Sequence, residues 1–348
     1  EQAKKAERFI FLEYFILAEG QLWSELEKLL CAKAHEGVEV KIIFDDFGNI
    51  KRFRGETIDR LRDAGVEVFI FNPVHEYVNR LYFNYRDHRK IACFDGDVAY
   101  TGGVNIADEY ANLIERFGYW KDSGVCLEGE GAWGLTASFI RMCVNLGGVM
   151  HNEHDYYRPH TPVKSEGFCQ PFTDGPQNNP DNPAEDVFLQ MISGARRFLY
   201  ITTPYFIPDE SLMRALCIAG DGGVDVRLML PGKPDHWYAD CVAESYFGEL
   251  IKHGVKVYRY TPGFLHGKSI MVDREAAFVG SANMDYRSFE LDYECGVMVY
   301  SAPMIESLLE DMDMIVDHSR LVTKEEWAKR SVLRRVFEPL LRLFAIWM

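Results

Sequence analysis

The feature that most constrains this chain is that it is written twice. The stretch Gly37-Val38-Glu39-Val40-Lys41-Ile42-Ile43 returns as Gly223-Val224-Asp225-Val226-Arg227-Leu228-Met229. Likewise Ala64-Gly65-Val66-Glu67-Val68-Phe69 returns as His253-Gly254-Val255-Lys256-Val257-Tyr258. Each copy is entered through glycine and continues with β-branched residues at period two, the pattern of a strand. Both halves also open on a strand candidate, Phe9 to Phe15 and Phe198 to Thr203, followed by a helix rich in leucine or alanine. Alternating strands and helices, repeated in the same order, imply an α/β fold built from two similar units. Pro159 to Pro183, rich in Pro, Asn, Gly and Asp, reads as a surface linker. The expected organisation is a first half over 1–164, a second over 165–319 and a C-terminal helical segment over 320–348.

The chemistry-bearing residues are duplicated with the fold. His88, Lys90 and Asp95 stand in the spacing H-x-K-x4-D, and so do His266, Lys268 and Asp273. Both motifs lie on strand-like sequence, which would put each His and Lys on one strand face. One such motif is a weak signal, because a His beside a Lys is usually a solvated surface pair. Here Gly102-Gly103-Val104-Asn105 and Gly280-Ser281-Ala282-Asn283 also sit at the same offset from their histidines, which chance does not readily supply.

Composition narrows the partners. A hydrophobic content of 47% is that of a folded globular chain. The net charge of -15 repels a phosphate backbone at long range, so no nucleic acid is expected as a partner, and lipid or small-molecule substrates fit better. The eight cysteines include no Cys-x-x-Cys pair, and His151, His154 and His160 lack the spacing of a helical ligand pair; neither a metal nor a disulfide framework is expected. Asp108 and Glu109 read as solvated or structural acids. No apolar run approaches the ~20 residues that cross a bilayer. Opening on Glu1 and running straight into Arg8-Phe9-Ile10-Phe11 is what is expected where a preceding membrane anchor has been removed. From Trp327 to Met348, Val332, Leu333, Val336, Phe337, Leu340, Leu341, Phe344 and Trp347 fall at helical spacing among five cations, the pattern of a helix at an anionic lipid surface.

With these residues in view, the chain resembles the phospholipase D superfamily over essentially its whole length. Asn84-Tyr85-Arg86-Asp87-His88-Arg89-Lys90, Thr203-Pro204-Tyr205-Phe206-Ile207-Pro208-Asp209 and Asn283-Met284-Asp285-Tyr286-Arg287-Ser288-Phe289 make it similar, within that superfamily, to the bacterial cardiolipin synthases. The resemblance implies two α/β/α halves, each with a mixed central sheet, joined about a pseudo-twofold axis with the two motifs in one site. Phosphodiester exchange without a metal needs a nucleophile, a proton donor for the leaving alkoxide and cations around the phosphoryl oxygens. Two histidines and two lysines supply that set. By analogy His88 is the nucleophile and His266 the acid and base, although the near-symmetry of the motifs leaves the exchanged assignment open. Lys90, Lys268, Asn105, Asn283 and the Ser281 hydroxyl would hold the nonbridging oxygens. Asp122 and Glu294 are the expected orienters of the histidines. Asp95 and Asp273 belong to the motifs, but a structural, hydrogen-bonding role is expected of them.

The resemblance further implies phosphatidyl transfer between two phosphatidylglycerol molecules, giving cardiolipin and glycerol without a cofactor, at a bacterial cell membrane rich in anionic phospholipid. A hydrolytic phospholipase D, or a transferase using another alcohol, would share every catalytic residue, and a nuclease of the superfamily is the more distant alternative. Two departures from the family pattern are Ser123-Gly124, where Thr-His usually follows Trp-basic-Asp, and Gly267, where alanine is common.

Overall fold

The computed structural model describes residues 1–74, 81–151, 155–164, 167–300, 302–330 and 341–342. The first half contributes strands β1 (Phe9–Tyr14), β2 (Glu39–Asp45), β3 (Glu67–Phe71), β4 (Arg86–Asp87), β5 (Lys90–Phe94), β6 (Val98–Gly102), β7 (Tyr119–Lys121) and β8 (Gly124–Glu128). The remainder contributes β9 (Phe168–Asp174), β10 (Phe198–Thr202), β11 (Phe206–Ile207), β12 (Asp225–Pro231), β13 (Lys256–Tyr260), β14 (Gly263–Leu265), β15 (Ser269–Val272), β16 (Ala276–Gly280), β17 (Met284–Asp285), β18 (Asp292–Tyr300) and β19 (Ser319–Leu321).

The duplication read from sequence is a duplication of sheets. One sheet runs β3-β2-β1-β5-β6-β8, and the other contains β13-β12-β10-β15-β16-β18 in the equivalent order. In each, the first three strands are parallel and the next three antiparallel. The repeated glycines make this possible. Gly37, Gly65, Gly223 and Gly254 all follow helices and adopt φ between 83° and 92°, the left-handed geometry that turns a helix end into a strand with no Cβ penalty.

Period-two alternation assigns each strand face to a different core. Phe9 and Phe11 of β1 face the second sheet, joining Tyr200, Met271, Ala277 and Val297 in a central layer that also holds Phe139 and Leu308 from two helices. Ile10 and Leu12 face the outer helices of the first half, while Leu199, Ile201 and Ile270 do so in the second. The two sheets therefore pack face to face through a shared apolar layer, which two helices also enter, with the other helices outside.

Two short pairings then cross the interface. β4 of the first half runs parallel to β18 of the second, and β14 of the second runs parallel to β7 of the first. These crossings sit beside the two histidines. Of the C-terminal helical expectation, a helix over Lys324–Ala328 is present, Trp327 and Leu341 pack against the second core, and Arg342 lies over the Tyr246 ring. Residues 331–340 and 343–348, on which most of the amphipathic pattern falls, lie outside the described residues, as does His154. No helix among the described residues is long and apolar enough to cross a membrane.

Candidate active site

His88 and His266 precede their strands rather than lying within them, because each is bonded to the opposite half. The His88 N–H donates to the Tyr293 carbonyl at 2.9 Å, and the His266 N–H donates to the Lys121 carbonyl at 2.7 Å. The side chains cross in the same way. Nδ1 of His88 lies 2.8 Å from Glu294 Oε1, and Nδ1 of His266 lies 2.7 Å from Asp122 Oδ2. Each histidine is thus aimed by a carboxylate of the other half, leaving Nε2 for chemistry. Both imidazoles line one cavity of about 750 Å³, together with Asn105 and Asn283.

Lys90 opens β5, and Lys268 stands directly before β15. Each donates back to the carbonyl of its own histidine, and Lys268 Nζ also lies 3.0 Å from His266 Nε2. The Asn105 amide accepts from the Ile16 N–H at 3.0 Å and donates to the Tyr110 hydroxyl at 2.8 Å. Asn283 Oδ1 is buried without a hydrogen-bond partner.

The third motif residues stand apart from this centre. Asp95 accepts the backbone N–H groups of Glu7, Arg8 and Phe9, all at 2.8 Å, and Asp273 accepts those of Arg196, Arg197 and Phe198, again at 2.8 Å. As the structural role expected of them requires, they tie the start of β1 and β10 to the far end of β5 and β15, and they take no place beside the histidines and lysines of their motifs. Ser281 also departs from expectation. Its fully buried hydroxyl donates to Glu294 and accepts from the Cys295 N–H at 2.9 Å, so it steadies the carboxylate behind His88 rather than reaching a phosphoryl oxygen.

The pseudo-equivalent Gly103 shows why the halves differ. A Cβ there would collide with Asp122 Oδ1, so glycine lets Asp122 close directly on His266. Glu294, one methylene longer, is instead held by Ser281 and by Ser288 at 2.8 Å. The two departures from the family pattern touch each other: a Cβ at Gly267 would stand 2.9 Å from Ser123 Oγ, itself 3.0 Å from Ser269 Oγ.

The other close neighbours of the histidines are aromatic. His266 sits among the rings of Tyr110, Trp120 and Phe264, with centroids 5.3, 5.3 and 5.7 Å away, whereas His88 meets Phe15 at 5.1 Å. Nothing about a tyrosine five residues after an asparagine announces a ring against the other half's histidine.

Burial dominates the electrostatics. It holds His88 well below the ordinary histidine value, aided by Lys90 and Lys268, and takes His266 down to about 4, aided by Lys268 against Asp122. Burial also lowers Lys90 to about 8 and Lys268 to about 7. Glu294 is raised by burial to about 7. For Asp122 burial pushes upward too, but His266, Lys268 and the Ser123 N–H outweigh it and the group stays below its usual value. Burial thus opposes the charged form of all four nitrogen bases, and a phosphodiester beside them would favour it. A ring nitrogen of His88 and carboxylate oxygens of Asp292 and Glu294 lie within 4.8 Å of one another.

The "Cardiolipin synthase, PLD-like domain" family model matches residues 1–115 and 188–316, taking in both histidine motifs. The chain belongs to the cardiolipin synthase family. By class the chain is a phosphatidyltransferase. It is 37% identical over 98% of its length to the cardiolipin synthase of Halalkalibacterium halodurans and spans 68% of that protein. To cardiolipin synthase 2 of Bacillus anthracis it is 36% identical over 98% of its length, spanning 66% of that relative. Among solved structures, a phosphatidylserine synthase of Haemophilus influenzae matches 99% of this chain and 88% of its own, with a TM-score of 0.68 at 18% identity, which establishes a shared fold.

Proposed function

We propose that this family member transfers a phosphatidyl group from one phosphatidylglycerol to another through a phosphohistidine, releasing glycerol and forming cardiolipin. The observation that carries the reading is the pair of crossed histidine–carboxylate bonds, which aims two imidazoles from different halves into one cavity. Nε2 of His88 attacks phosphorus while His266 gives its proton to the departing glycerol oxygen, so a P–N bond replaces a P–O bond. His266, now neutral, takes the proton of the second lipid's hydroxyl, whose oxygen attacks phosphorus and frees His88. Lys90, Lys268, Asn105 and Asn283 balance the charge on the phosphoryl oxygens.

Two observations support this direction of roles over its exchange. The carboxylate at His266 keeps its charge, which favours the imidazolium an acid must form. Nε2 of His266 is covered by Lys268, and among the described residues His88 Nε2 has no such contact.

Phe47, Ile50 and Tyr238 are exposed, yet also line the cavity, and exposed Trp237 adjoins Tyr238. Aromatic and apolar side chains at the rim suit contact with a bacterial membrane of anionic phospholipid, the expected setting of the reaction.

Mass spectrometry of products from purified protein and phosphatidylglycerol vesicles tests the reading, with His88→Ala and His266→Ala as controls. Cardiolipin and glycerol that vanish in both variants support it. Phosphatidic acid alone would point to hydrolysis, and no lipid turnover would remove the transferase assignment.

A further inference from the structure

The cavity walls do not carry the same charge. On the first-half wall Arg52 and Arg116 both reach the same oxygen of one buried acid, Glu109 Oε1, at 3.4 and 3.1 Å. Two guanidinium groups on one carboxylate leave a unit of positive charge facing the cavity. Arg86, also on that wall, is already spent on Asp45 and on the Phe83 and Asn72 carbonyls. The second-half wall carries Asp235, Asp285 and Asp292 against Arg287, which is held by Asp292 and Asn84.

The anchoring of the pair is close to the chemistry. Glu109 is followed directly by Tyr110, whose hydroxyl bonds Asn105 and whose ring packs on His266. Glu109 is 7% exposed, while the Arg52 and Arg116 side chains keep 34% and 48% of their surface. A buried acid thus holds two solvated cations at the cavity edge, next to the apolar rim residues Phe47 and Ile50.

We infer that Arg52 and Arg116 form a second phosphate site, taking the phosphodiester of the acceptor lipid while its headgroup hydroxyl reaches the phosphohistidine. This rests on the transferase reading above and adds to it which wall receives the second lipid. A phosphodiester monoanion neutralises the surplus charge on the first-half wall, and guanidinium groups suit its paired oxygens. The acidic second-half wall repels a phosphate but accepts hydrogen bonds from headgroup hydroxyls.

The experiment gives the enzyme two acceptors at once: phosphatidylglycerol vesicles in phosphate-free buffer with ethanol added, the products being cardiolipin and phosphatidylethanol. In an Arg52→Gln/Arg116→Gln double variant the cardiolipin-to-phosphatidylethanol ratio is expected to fall about tenfold or more, and Arg52→Lys/Arg116→Lys to regain part of it. An unchanged ratio, whether both products fall together or neither does, assigns the arginines to the fold, the donor or a free anion and overturns the proposal. Wild-type protein that makes phosphatidylethanol but no cardiolipin overturns it as well, whereas wild-type protein that makes neither product strikes at the transferase reading itself.

Discussion

The two histidine–carboxylate pairs occupy equivalent places in equivalent halves, yet they are not electrostatic copies. Asp122 closes on His266 over a glycine, inside a cage of three aromatic rings, and stays ionised. Glu294 reaches His88 from between two serines, with burial raising it to about 7. A repeated backbone therefore does not oblige repeated chemistry: one side chain at the Gly103/Ser281 position changes how a carboxylate is held and, with it, which imidazole more readily carries charge.

Replacing the histidines gives the largest effect and tests the division of labour. His88→Ala and His266→Ala are each expected to lower kcat by about 10⁴-fold or more. The difference between them appears with a phosphatidyl donor bearing a nitrophenol leaving group, which departs without a proton. His266→Ala should then still release a burst of nitrophenol and hold the lipid covalently, while His88→Ala should do neither; the reverse pattern would exchange the roles.

Next come the orienters. Asp122→Asn is expected to cost about 10³-fold in kcat, since it removes a full charge beside the proposed acid, whereas Glu294→Gln should cost about tenfold, because burial already raises that carboxylate to about 7. Equal losses would show the pairs to be equivalent in the working enzyme despite their surroundings.

A smaller effect is expected from pH. Lys268 and Lys90, lowered to about 7 and about 8, lose their ammonium charge in the free enzyme as pH rises through that window rather than near 10.5. A phosphodiester therefore meets fewer cations, and kcat/KM, which reports the free enzyme, should decline about tenfold between pH 7 and 9. A flat profile to pH 9 would mean that both lysines keep their protons.

The mildest effect belongs to Asp95→Asn and Asp273→Asn. Each weakens three backbone hydrogen bonds remote from the histidines, so about 1–3 kcal/mol of stability should be lost, read by denaturant titration, with turnover per folded molecule retained.

Much of this was legible in the sequence, for a reason that also sets its limit. Gly37, Gly65, Gly223 and Gly254, the alternating strands and the paired H-x-K-x4-D motifs are local patterns, and local patterns repeat when a fold repeats. Which carboxylate serves which histidine is not local: Glu294 lies 206 residues from His88 and Asp122 lies 144 from His266. The role of Ser281 escaped for the same reason. From spacing alone its hydroxyl stands with Asn283 as a phosphate donor, while in the fold it is sealed behind Glu294. The strand expected at His88 and His266 starts later, because the partner of each histidine's backbone N–H lies in the other half.

Those crossed strands, β4 with β18 and β7 with β14, also bear on how lipids come and go. Many two-lobed enzymes admit ligands by hinging their lobes apart. Here a hinge would strip each imidazole of its carboxylate and its backbone anchor in the same motion, so a route that leaves the halves together is the one that keeps the site assembled while lipids exchange.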